Sequence, residues 1–294
     1  MENLSKYFIF ADSLALSVLF VVIIILNSFI LYTMSIKKGN TRNSVRFCLI
    51  VHIIVWYVAS FAGLALHLYV TVFWRLSNNY NSMVLFVLGA PAYSTLYSVF
   101  ISRWFLTLEC IFVINLWRNQ RRYLKILCTF FCITVDLGML ALFIARFATS
   151  EREPNCWFIS CVFERYSYAI AMNFINIIIL SSFFCSLWSL YLFHKTRATH
   201  SANEQTSMQQ IIRFTIILDL YFNVVPQVAA VVTHWLGIDF QTYVGPVYRV
   251  LFVSYGLIIN LRFYVCLVRR PAKILIQHSQ AKRGIRVTAT LPIT

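Results

Sequence analysis

Seven runs of apolar sequence constrain this chain more than any other feature. They fall at Phe8–Met34, Phe47–Trp74, Met83–Trp117, Ile126–Phe147, Tyr166–Phe193, Ile211–Trp235 and Tyr243–Val268. A helix that crosses a bilayer needs roughly 20 consecutive apolar residues, and each run meets that length. An isolated strand would leave its backbone unsatisfied in hydrocarbon, so each run is expected as a helix. Composition points the same way. The chain is 60% hydrophobic and only 12% charged, where a soluble domain carries about a quarter charged residues. The expectation is an all-α membrane protein. One seven-helix bundle would occupy residues 1–294, with 269–294 as a tail.

The third run is unusually long. At 1.5 Å per residue it would reach roughly 52 Å, so it must tilt or begin above the hydrocarbon. Gly89 and Pro91 are expected to mark that upper break. Pro226 interrupts the sixth run and is the candidate hinge, because proline removes one backbone hydrogen bond. Pro246 suits a helix start. Pro271 ends the seventh run, and the following "RPAKILIQHSQ" suits a short interfacial helix. The first run is about twice the length of a signal-peptide core, so no cleaved leader is expected.

Charge sets the orientation. With the N-terminus outside, seventeen lysines and arginines fall on the inner side: Lys37, Lys38, Arg42, Arg46, Arg118, Arg121, Arg122, Lys125, Lys195, Arg197, Arg213 and six in the tail. Four fall outside: Lys6, Arg75, Arg152 and Arg165. This is a positive-inside pattern. The formal charge of +15 is therefore read as topology. Basic residues spread over four loops do not form a nucleic-acid surface, and no nucleic-acid partner is expected. Asn3-Leu4-Ser5 is a glycosylation sequon on the outer side. Cys156 and Cys161 share an outer loop, where an oxidising environment favours a disulfide. Cys128 and Cys132 lie one helical turn apart inside a span, where packing is the better reading than a metal site.

Several enzyme classes find no support. There is no HExxH, no glycine-rich phosphate loop and no Ser/His/Asp arrangement. The seventh run has no lysine for a retinal Schiff base. No enzyme activity, cofactor or metal is expected.

Ionisable residues inside spans are costly unless paired or hydrated. Arg103, Glu109, Asp136, Asp219, Arg249 and Arg262 are such residues. Depth along the helices puts Glu109, Asp219 and Arg262 on one inner level, where an acid–arginine cluster would hold a closed state. Arg103 lies further out, and Asp136 is its expected partner.

The layout resembles that of G-protein-coupled receptors along the whole chain. Glu109 stands where that superfamily carries the acid of its acid–arginine motif, although the next residue is Cys110. "NLRFY" is similar to the NPxxY motif, with Asn260 and Tyr264 in place and Leu261 where proline is expected. The outer start of the third run lacks the superfamily's usual cysteine. "LGAP" opening the third run, "SR" followed by Glu109, the paired outer-loop cysteines and "GP" opening the seventh run resemble nematode serpentine chemoreceptors of class BC. The resemblance implies a chemosensory receptor in the plasma membrane, in sensory neurons that of the cilium. It would bind a small molecule from outside and signal to a heterotrimeric G protein.

In that reading Tyr93, Tyr97, Trp104, Tyr168 and Tyr248 would line the ligand site, with Arg249 as polar anchor. Arg118, Arg121, Arg122 and Lys125 would meet the G protein, which the missing arginine at Cys110 otherwise leaves unexplained. A seven-span odorant-gated channel is the alternative, opposed by the charge bias. An intramembrane transporter or enzyme using Asp136, Asp219 or Glu109 as proton carriers is the third reading.

Overall fold

A computed structural model describes residues 2–36, 47–74, 80–114, 120–149, 165–196 and 240–265, with Phe214, Ile217, Leu218, Tyr221, Phe222, Val225, Pro226 and Ala229 of the sixth run. These residues are built around six helices: α1 (Glu2–Ile36), α2 (Phe47–Val72), α3 (Ser82–Ile114), α4 (Gln120–Thr149), α5 (Arg165–Thr196) and α6 (Phe240–Tyr264). The helix α6 covers most of the seventh apolar run. Among the described residues, four helical stretches are long and apolar enough to cross a membrane: Tyr7–Ser35, Phe47–Val72, Ser82–Glu109 and Tyr123–Ala145.

The distribution of side chains is that of a protein solvated by lipid. Val18, Val22, Ile25, Phe29 and Tyr32 form an exposed stripe along α1, and Ile126, Phe130, Ile133, Leu137 and Ile144 face outward on α4. The buried residues include Ser13, Asn27, His52, Ser60, His67, Ser98, Ser102, Arg103, Glu109 and Asn260. A water-soluble fold exposes few contiguous apolar surfaces of this size. In hydrocarbon the polar groups are the ones that must turn inward.

Successive helices pack as neighbours from α1 to α4, α5 lies against α3, and α6 returns against α1. This makes α3 the hub. Two thirds of its spanning window is buried (67%), against 22% for α4 at the periphery. The core between α1, α2, α3 and α6 is aromatic. Trp56 stacks on Phe252 at 5.5 Å, and Phe100 meets the same ring at 4.9 Å. Glycine permits the closest approach: a Cβ on Gly256 would lie 2.2 Å from the Trp56 ring, and one on Gly63 would lie 2.6 Å from Phe20.

The third helix departs from the expected break. Asn81 Oδ1 accepts the backbone N–H of Met83 (2.9 Å) and Val84 (3.3 Å), an N-cap that starts the helix at Ser82. From there α3 runs without interruption through Gly89 and Pro91. Pro91 stands on an exposed face with Val87, whose carbonyl loses its helical donor. One turn later the Ser94 and Thr95 hydroxyls donate to the Pro91 carbonyl at 3.1 and 2.8 Å. Side-chain donors of this kind let membrane helices tolerate proline.

Helix ends also run past the apolar runs. The helix α4 begins at Gln120, so Arg121, Arg122 and Lys125 belong to its first turns and not to a loop. Lys125 Nζ sits 5.5 Å from the centre of the Phe47 ring. Asn3 likewise lies within α1.

The glycine contacts yield a paired prediction. Gly256→Ala overpacks the Trp56 contact and should destabilise the bundle by about 1–3 kcal/mol. Gly138→Ala, with nothing within 4 Å of its Cβ, should leave stability unchanged or slightly raised. Tryptophan-fluorescence melting in detergent compares the two, and equal midpoints would refute the close-packing account.

Candidate functional site

The buried polar groups form three levels along the bundle. The first lies where α1 and α6 begin and α2 ends. Arg249 Nη2 of α6 approaches Asp12 Oδ2 of α1 at 4.0 Å, with side-chain exposures of 22% and 6%. Next to Asp12, the Ser13 hydroxyl lies 3.5 Å from His67 Nδ1 of α2. The Phe20 ring stacks on His67 at 5.9 Å and closes the level from below. Nearer the helix ends, Tyr7 and Phe10 pack on Trp74 at 5.4 and 4.9 Å. Asp12 Oδ1 is buried and has no hydrogen-bond partner among the described residues.

The middle level joins α2, α3 and α6. His52 Nδ1 and the Ser102 hydroxyl are 2.8 Å apart, and Ser102 Oγ also donates to the Val99 carbonyl. The Arg103 guanidinium lies 5.1 Å from the centre of the Tyr255 ring. A cation over an aromatic face is worth about 2 kcal/mol when desolvated. Asn27 of α1 and Asn260 of α6 are fully buried, and their amide groups have no partner among the described residues. Each unsatisfied buried group costs about 1–3 kcal/mol.

The third level is at the opposite end. Glu109 Oε2 accepts the backbone N–H of Cys48 at 3.1 Å. Cys48 is in the first turn of α2, so the carboxylate of one helix caps the positive end of another. Between α3 and α4, Ser98 Oγ donates to the Cys132 carbonyl at 2.9 Å while Cys132 Sγ reaches the Ser98 carbonyl at 3.8 Å. Cys48, Cys128 and Cys132 are buried free thiols. Among the described residues, no group of three or more His, Cys, Asp or Glu is arranged to hold a metal ion.

Two expected pairings are replaced. Arg103 turns toward α6 and Tyr255, whereas Asp136 on α4 neighbours Ser94 of α3. The two residues leave their helices toward different neighbours. The inner acid–arginine level is also redrawn. Glu109 serves the α2 N-terminus, and the Arg262 guanidinium lies over Phe214 at 5.3 Å. Asp219 lies outside the described residues.

The remaining candidates scatter. Tyr93 and Tyr97 join a cluster with Leu66, Leu85, Phe86 and Met139, with the Tyr97 ring 6.4 Å from Phe174 of α5. Trp104 packs on Phe105, and its buried Nε1 has no partner among the described residues. Tyr264 meets Phe29 at 5.6 Å. Pro226 is helical and half-buried. The side chains of Asn3, Tyr168, Tyr248, Cys110, Arg121 and Arg122 lie outside the described residues, as do Arg118, Cys156 and Cys161 altogether. Of the expected ligand residues, Arg249 alone belongs to the first polar level.

Sequence reasoning passed over Asp12. It lies inside the first apolar run about 15 Å from the start of α1, the depth Arg249 has in α6. That equality was available as a signal. The Glu109 contact carried no such signal, because its partner is backbone. No protein-family model matches the chain, and no curated protein matches it.

Truncation of Glu109 tests the cap. Glu109→Ala leaves the Cys48 N–H buried and unpaired and should cost about 1–3 kcal/mol, read as a lower melting midpoint. Glu109→Gln keeps an acceptor and should recover most of that loss. Equal effects of the two substitutions would contradict the assignment.

Proposed function

We propose that the chain is a seven-span chemosensory receptor of the G-protein-coupled type, N-terminus outside, in the plasma membrane. The observation that carries this reading is the sequence of polar levels through the bundle. Asp12, Ser13, His67 and Arg249 lie at one end, His52, Ser102, Arg103 and Tyr255 in the middle, and Glu109 at the α2 N-terminus at the other. Buried polar contacts between helices are discrete. Exchanging one set of partners for another gives a bundle two states, and a ligand with different affinities for them shifts the balance.

Supporting features lie at both ends. The first level has a half-exposed guanidinium beside a buried carboxylate. At the opposite end Arg121, Arg122 and Lys125 occupy the first turns of α4, and a basic helix start on the cytosolic side suits an acidic G-protein surface. Pro226 is the hinge of the sixth span in this reading. Asn260 and Tyr264 lie on α6 at the Glu109 end.

The test is a second-messenger assay in a heterologous cell that expresses the full chain with a promiscuous G-protein α subunit. At least one member of a panel of small water-soluble and volatile molecules should raise the signal. Arg103→Gln, expressed at equal surface density, should reduce the response at least tenfold, since about 2 kcal/mol of buried contact corresponds to more than a tenfold change. Undiminished signalling by that variant would remove the middle level from the mechanism.

A further inference from the structure

We propose that the first polar level is a binding site for a small zwitterion, with its ammonium group on Asp12 Oδ1 and its acidic group on Arg249. It deepens the receptor reading by naming the ligand class. The argument starts from Asp12. An ionised carboxylate offers about four acceptor positions. Its Oδ2 faces Arg249 at 4.0 Å, longer than the roughly 2.7–2.9 Å of a charge-assisted hydrogen bond. Its Oδ1 is buried with no partner among the described residues. The site therefore presents an unmet acceptor and needs an N–H donor.

Charge then selects the ligand. Asp12 and Arg249 sum to zero, and His67 is held by Ser13. A bare ammonium would satisfy Asp12 under repulsion from Arg249, and a bare anion would meet the reverse. A molecule carrying both charges satisfies each side and leaves the level neutral. The exposures set its direction. Arg249 is 22% exposed and Asp12 6%, so the acidic group lies toward the opening and the ammonium lies deeper. Phe10 and Trp74 form one wall of that opening.

The full chain in nanodiscs of phosphatidylglycerol, which lack a zwitterionic headgroup, is titrated with glycine, β-alanine and γ-aminobutyrate. At least one should raise the melting midpoint saturably. Methylamine, acetate and glycine betaine, which has no N–H, should bind at least about tenfold more weakly, the loss expected for a charge-assisted hydrogen bond. Asp12→Asn and Arg249→Gln should each weaken binding similarly, while Ser186→Ala leaves it unchanged.

The proposal is overturned if none of the three zwitterions binds the unmodified chain. It is also overturned if betaine binds as tightly as they do, or if both variants retain full affinity. The unmodified chain decides the matter even where a variant does not fold. Binding is measured without a G protein, so the two readings separate. Zwitterion binding without second-messenger output keeps the site and removes the receptor. Output from other ligands with no zwitterion binding does the opposite.

Discussion

Hydrocarbon offers no hydrogen bonds, and every other feature of this bundle follows from that. A polar side chain on a lipid-facing position has nothing to bond, so the polar residues of α1, α2, α3 and α6 gather at the helix seams. Ser17, Ser28, Thr71 and Thr95 return their hydroxyls to carbonyls one turn back. Larger groups need a neighbouring helix, and these make the specific contacts: His52 with Ser102, Arg249 with Asp12, Glu109 with the start of α2. Apolar residues are left to face outward, where lipid costs them nothing.

The hub position of α3 is a consequence of the same rule. It bears Ser94, Thr95, Ser98, Ser102, Arg103 and Glu109, all buried, and a helix so polar is stable in a membrane only with others around it. Its six-residue separation between Arg103 and Glu109 points these groups at different helices. One meets α6 and the other meets α2, so α3 ties two neighbours at two depths. The aromatic layer of Trp56, Phe100 and Phe252, admitted by Gly256, fills the space between them.

Run length and hydropathy made the helices legible from sequence, because the period of burial matters little to a helix that is apolar nearly all round. Helix ends were less legible. Arg121 and Lys125 look like loop residues by charge, yet a helix continues into the interface as long as its charged side chains reach water. Pro91 looked like a break, and hydroxyls one turn later carry the helix through. Pairings were the least legible part. Arg103 and Asp136 match in depth and charge, but depth does not report rotation about the helix axis, and Arg103 faces α6. Glu109 was rightly singled out as costly, while its partner, a backbone N–H at a helix start, has no signature in side-chain identity. Asp12 went unnoticed among apolar neighbours although Arg249 shares its depth.

The account stands most directly on the direction in which α1 enters the membrane, since the polar level at Asp12 must face the outside to receive a ligand. An epitope fused before Met1 and a second fused after Thr294 are probed with antibody in intact and permeabilised cells. The account predicts that the first is stained in intact cells and the second only after permeabilisation. The reverse pattern, or both epitopes on one side, would contradict it.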